Sequence, residues 1–203
     1  MNFKRNKYSM IKGNKMKKLI TLSLLSFLLF FGCNQDSEIL GPVEESSNQE
    51  YTLISLPTPT CGLSIETIYS FSKEVSGEQG GIFYNGFSYQ GGPFGTVTVN
   101  SRLNFPANSF SGYETITKTY NTDFATMEYG PSMSFNAPVL CGLRFYGLDL
   151  SSVNPETVKF VYIANDGTIE DVEYESISIN VASGYLYVKN AQLNHFSRYG
   201  FVN

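Results

Sequence analysis

The side chains that could do chemistry are few and scattered. The 203 residues include one histidine, His195, and three cysteines, Cys33, Cys61 and Cys141. Their spacing assembles no ligand set, so a zinc centre has no support and neither a metal nor a cofactor is expected. His195 stands two residues before Ser197. On an extended strand the two share a face, which sets an imidazole beside a hydroxyl, the pairing of a base and a nucleophile. Five acids crowd residues 166–175: Asp166, Glu170, Asp171, Glu173 and Glu175. Alternation puts Asp171, Glu173 and Glu175 on one strand face, opposite Val172 and Tyr174. Their order lacks the ligand spacing of a calcium loop, so a solvated face is expected. Residues 83–89 read Phe-Tyr-Asn-Gly-Phe-Ser-Tyr. Tyr84 and Tyr89 could stack on a sugar there, with Gly86 permitting close approach; the same rings also suit the core of a sandwich. No nucleophile elbow, phosphate loop or metal motif accompanies any of these groups.

The elements that must position them read as strands. Segments 65–74, 82–89, 96–103, 114–120 and 124–129 carry aromatic and β-branched residues with partial alternation. Segments 139–146, 157–164, 168–174, 176–181, 185–189 and 196–202 follow. Asn165-Asp166-Gly167 and Ser183-Gly184 mark two hairpins, because Asp and Gly tolerate positive φ. Pro106 and Pro138 lack an N–H and should stand at strand starts or edges, and Gly142 inside an apolar run suggests a bulge or a close backbone approach. No stretch after residue 60 keeps a helical period. The fold class is therefore all-β, an antiparallel sandwich of nine or ten strands over residues 61–203.

The first sixty residues are different in kind. Lys17 and Lys18 precede a largely apolar run of thirteen residues, 19–31, which is short for a membrane-spanning helix of about 20. Phe30-Phe31-Gly32-Cys33 closes it. This arrangement resembles the lipobox of bacterial lipoproteins, with Phe30 where that family usually has Leu. The resemblance implies a signal peptide within 1–32 and lipid attached to the Cys33 thiol of a mature chain that begins there; Met16-Lys17-Lys18-Leu19-Ile20 reads as the natural start, with Met10 as the alternative. Residues 34–60 contain five acids, Gly41-Pro42 and Pro57-Thr58-Pro59, and read as a linker. Seven of the 14 basic residues and none of the 18 acidic ones lie in residues 1–32. From Cys33 onward, seven basic groups face eighteen acids, a net charge of −11, which excludes nucleic acid as a partner. An exported compartment would permit a Cys61–Cys141 disulfide, whereas the apolar surroundings of Cys141 equally suit a small buried thiol.

Two blocks carry a second resemblance. Leu103-Asn104-Phe105-Pro106-Ala107-Asn108-Ser109-Phe110 leads to Glu114-Thr115-Ile116-Thr117, Tyr129-Gly130-Pro131 and Phe135-Asn136-Ala137-Pro138-Val139; the chain then closes with His195-Phe196-Ser197-Arg198-Tyr199. These are similar to the ZU-five domain of netrin receptors and ankyrins, over roughly residues 80–203. The resemblance implies a β-sandwich. Some relatives cleave themselves between Phe and Ser of a His-Phe-Ser sequence, so it also implies His195 and Ser197 as an alternative self-cleavage pair. The expectation is a non-enzymatic structural or interaction module, lipid-anchored in the bacterial envelope at the outer membrane. Its partners would be the membrane through the anchor, and an envelope protein or a glycan.

Overall fold

The computed structural model describes residues 51–60 and 68–203. Cys33 and Cys61 lie outside them, as do the expected signal peptide and most of the expected linker. The described chain is a sandwich of two antiparallel sheets. The strands are β1 (Ile68–Ser76), β2 (Gly81–Gln90), β3 (Thr96–Phe105), β4 (Tyr113–Asn121), β5 (Thr126–Gly130) and β6 (Ser134–Tyr146). They continue with β7 (Lys159–Ile163), β8 (Ile169–Asp171), β9 (Ser176–Asn180), β10 (Tyr185–His195) and β11 (Arg198–Val202). One sheet has the order β1-β4-β5-β11-β7-β8, the other β2-β3-β6-β10-β9. Eleven strands thus stand where nine or ten were expected.

Alternation decides what each strand buries. Val97, Val99, Leu103 and Phe105 of β3 face Val139, Cys141, Leu143 and Phe145 of β6 along the inner side. Phe105, Phe110, Phe135, Phe196 and Tyr129 form one aromatic cluster, with the Phe135 and Phe196 rings edge to face at 4.7 Å. Burying Phe196 contributes about 1.5–3 kcal/mol. Cys141 is a free, buried thiol whose Sγ lies 3.0 Å from the Tyr129 hydroxyl.

Alternation also buries an ion. Ile116, Lys118 and Tyr120 share the inner face of β4, so Lys118 enters the core with no exposed surface. Its Nζ donates to the carbonyl of Phe83 at 2.8 Å, to that of Ser101 at 3.3 Å and to Ser101 Oγ at 3.2 Å. It also lies 4.1 Å from the centroid of the Phe83 ring. Burial disfavours the ammonium and lowers its pKa from 10.5 to about 7.

Four sequence expectations need correction. Residues 51–60 are not linker: Ile54 and Leu56 enter the main core, and Leu53 packs with Val161, Ile163 and Val202 on the outer side. This strap pairs beside β11, where β5 stops short. Thr52 and Asn203 exchange backbone hydrogen bonds, and Ile54 donates to Phe201. Apolar alternation at 53–56 outweighs the polar composition around it. Second, Pro138 lies inside β6, a central strand. It is tolerated because β6–β10 pairing jumps there, from Leu193–Val139 to His195–Ser134. Third, β8 ends at Asp171, so Asp171, Glu173 and Glu175 do not share one strand face. The chain crosses to the other sheet over 172–175, where Gln192 N–H donates to the Glu173 carbonyl and Glu175 N–H to that of Lys189. Fourth, β10 runs to His195 rather than ending at 189. A bulge carries it past Asn190, whose φ is 51°, and the two residues Lys189 and Asn190 stand opposite Gly142 alone.

Both expected hairpins form. Ala164 and Gly167 close the first, with Gly167 at φ 89° and Asp166 Oδ1 accepting from Thr168 N–H at 2.9 Å. Gly184, at φ 61°, closes the second.

Candidate functional site

The outer face of the five-stranded sheet carries a group of outward polar and aromatic side chains around one depression. Cross-strand register orders them into rows. One row runs Ile82, Asn104, Leu140, Gln192; the next Tyr84, Arg102, Gly142 and the bulged Lys189–Asn190; a third Gly86, Asn100, Arg144, Tyr187. Gly142 has no side chain, and the bulge pushes its neighbours outward. The result is a cavity of about 630 Å³ with Gly142 in its floor.

Its lining is cationic and aromatic. Arg144 Cζ lies 4.8 Å from the centroid of the Tyr187 ring, and Arg144 Nη1 donates to the Tyr146 hydroxyl at 3.3 Å. That hydrogen bond raises the guanidinium above its ordinary pKa. Arg144 Nε is buried and has no hydrogen-bond partner among the described residues. The Arg102 guanidinium makes no hydrogen bond or ion pair among them. Lys189 pairs with Glu175, which also accepts from Asn190 Nδ2 at 2.6 Å. Tyr84 is 64% exposed and donates to Asn100 Oδ1 at 2.8 Å. No Asp, Glu, His or Cys lines the cavity.

The two tyrosines singled out from sequence separate. Five residues apart on β2, they point to opposite faces. Tyr84 joins the cavity, whereas Tyr89 is 7% exposed and donates to the Pro57 carbonyl at 3.0 Å. Burial pushes the Tyr89 phenol up to about 12. Arg102, Arg144, Gly142 and Tyr187 were missed as a group. Each is ordinary in its own strand, and only register across three strands assembles them. The even-numbered outward positions of 96–104 and 140–146 were the available signal.

His195 and Ser197 do not share a strand face, because β10 ends at His195 and β11 begins at Arg198. The chain changes sheets between them. The His195 ring packs edge to face on Tyr162 at 4.7 Å, and its carbonyl accepts from the Tyr199 hydroxyl at 2.7 Å. No hydrogen bond joins His195 to Ser197 among the described residues, and the two non-glycine residues with positive φ are Asn108 and Asn190. Phe196 is buried, and its N–H donates to the Met133 carbonyl at 2.8 Å. The seven residues after Phe196 include the whole of β11, which lies between β5 and β7. A scission at Phe196–Ser197 would therefore leave that segment held by pairing on both sides. His195 lines a smaller cavity of about 250 Å³ with Glu170, Asp171 and Glu173. Among the described residues no three or more His, Cys, Asp or Glu groups come together as metal ligands.

No family model, curated protein or solved structure matches this chain.

Proposed function

We propose that this chain is a non-enzymatic binding module, held at the bacterial envelope by lipid on Cys33, and that its ligand face is the outer surface of the five-stranded sheet. The observation that carries the reading is the cavity over Gly142. It offers aromatic, amide and guanidinium groups, and its lining holds no Asp, Glu, His or Cys; its one serine, Ser101, is buried and bound to Lys118. Exposed Tyr84 and Ile82 supply apolar surface at its rim. Asn100, Asn104 and Asn190 supply amides, a combination suited to sugar rings with their apolar faces and hydroxyl edges.

The anchor reading rests on the basic pair, the thirteen-residue apolar run and Gly32-Cys33. Several acyl chains at about 0.8 kcal/mol per buried methylene would hold a folded domain on a bilayer. Two measurements test the proposal. Labelled palmitate fed to expressing cells should enter the protein and be absent from Cys33→Ser; labelling of that variant would refute the anchor. The full chain should bind at least one glycan on a broad array and lose it on Gly142→Leu, which fills the cavity floor. Unaltered binding by a folded Gly142→Leu protein would move the ligand face elsewhere.

A further inference from the structure

The charge of the cavity opposes the charge of the chain. Residues from Cys33 onward carry net −11, yet the lining gathers Arg102, Arg144 and Lys189 without one carboxylate. The one carboxylate that reaches these lining residues is Glu175 at the edge, bound to Lys189 and Asn190, so the arginine side of the cavity is left for negative charge from outside. Lys189 already has Glu175, so its charge is met. The two arginines are not met in this way. Arg102 has no ion-pair partner among the described residues, and Arg144 leaves a buried Nε–H unsatisfied while its fork is steadied by Tyr146 and Tyr187. A donor left without an acceptor is destabilising, and an oxyanion reaching it would relieve that.

Resting on the binding-face reading above, we infer that the ligand is an acidic polysaccharide whose rings carry carboxylates, with Arg102 and Arg144 pairing with the carboxylates and Tyr84 against a sugar face. Arg102 and Arg144 belong to adjacent rows of neighbouring strands, flanking Gly142. The guanidinium fork matches a carboxylate with two parallel hydrogen bonds, which a lysine cannot do. The glycine makes the depth. The nearest atoms to a Cβ built on Gly142 would be the Tyr187 hydroxyl at 3.5 Å, its ring carbon Cε2 at 3.6 Å and the Val188 carbonyl at 3.8 Å, ordinary contacts. Its φ lies outside the positive range, so neither backbone strain nor packing explains the glycine here. Space above it does.

The test is calorimetric titration of the full chain with oligogalacturonate, its carboxyl-reduced galactose counterpart and a sulfated polysaccharide. Oligogalacturonate should bind, and carboxyl reduction should weaken binding about tenfold or more, as should Arg102→Gln. Affinity should fall with added salt, and less steeply in Arg102→Gln. Gly142→Ala should bind more weakly while melting no lower than wild type, because alanine in a compatible strand position restricts the unfolded chain. Equal affinity for the carboxyl-reduced oligomer, or binding of neutral glycans alone, overturns this inference and leaves the binding face standing. Preference for the sulfated polymer overturns the carboxylate assignment. A folded chain that binds no glycan of any kind overturns both.

Discussion

Replacing Lys118 with methionine should flatten the dependence of stability on pH. The ammonium sits between the sheets with no exposed surface, and burial lowers its pKa from 10.5 to about 7. The unfolded chain binds the proton up to about pH 10, whereas the folded chain releases it near 7. Across that window the unfolded state holds more protons, so stability rises with pH and is lost as pH falls through the folded value. At 1.36 kcal/mol per pKa unit the full linkage is about 5 kcal/mol, of which about 2 kcal/mol develops between pH 6 and 8.5. The neighbours do not titrate in that window in the fold. Burial pushes the Cys141 thiol up to about 11 and the Tyr120 and Tyr129 phenols above their usual range. Urea unfolding at several pH values measures the slope in both proteins. Methionine occupies similar length and carries no proton, so Lys118→Met should lack the 2 kcal/mol rise whatever its absolute stability. Parallel profiles would refute the buried, proton-losing lysine.

Other predictions concern packing. Ile54→Ala should cost about 2–4 kcal/mol of unfolding free energy, since the strap side chain is 4% exposed in the main core; a cost near zero would return residues 51–60 to the linker. Cys141 should resist a thiol reagent at pH 8 in the folded Cys33→Ser, Cys61→Ser chain and react fully in urea, because the thiol is buried and mostly protonated there. Reaction at the same rate with and without urea would place it outside the core.

Fold and site were legible to different depths. The hairpin at Asn165-Asp166-Gly167 and the spans of β2 and β3 follow from turn chemistry and alternation, which are local. The strap was hidden because its two core residues sit among prolines and threonines. It is held by partners such as Asn203, about 150 positions away, which no local pattern records. Lys118 was hidden for a related reason: the alternation on β4 says inward, the residue type says outward, and tertiary acceptors on Phe83 and Ser101 decide. Tyr84 was found and Tyr89 misplaced by treating a five-residue spacing as one site, although strand parity separates them. The cavity itself depends on register among β3, β6 and β10, and on a bulge at Asn190 with no dedicated sequence signal.

The position of β11 has a consequence for how the domain is made. This last strand is the fourth of six in its sheet, with β5 on one side and β7 on the other. Until residues 198–202 have emerged, β1-β4-β5 and β7-β8 are separate fragments with no ladder between them, and the strap has only its bridges to Phe124 and Gly91. Assembly must then close contacts across nearly the whole domain, which is slow for a β topology. Synthesis from the N-terminal side therefore leaves this sheet in two pieces until β11 is available to join them.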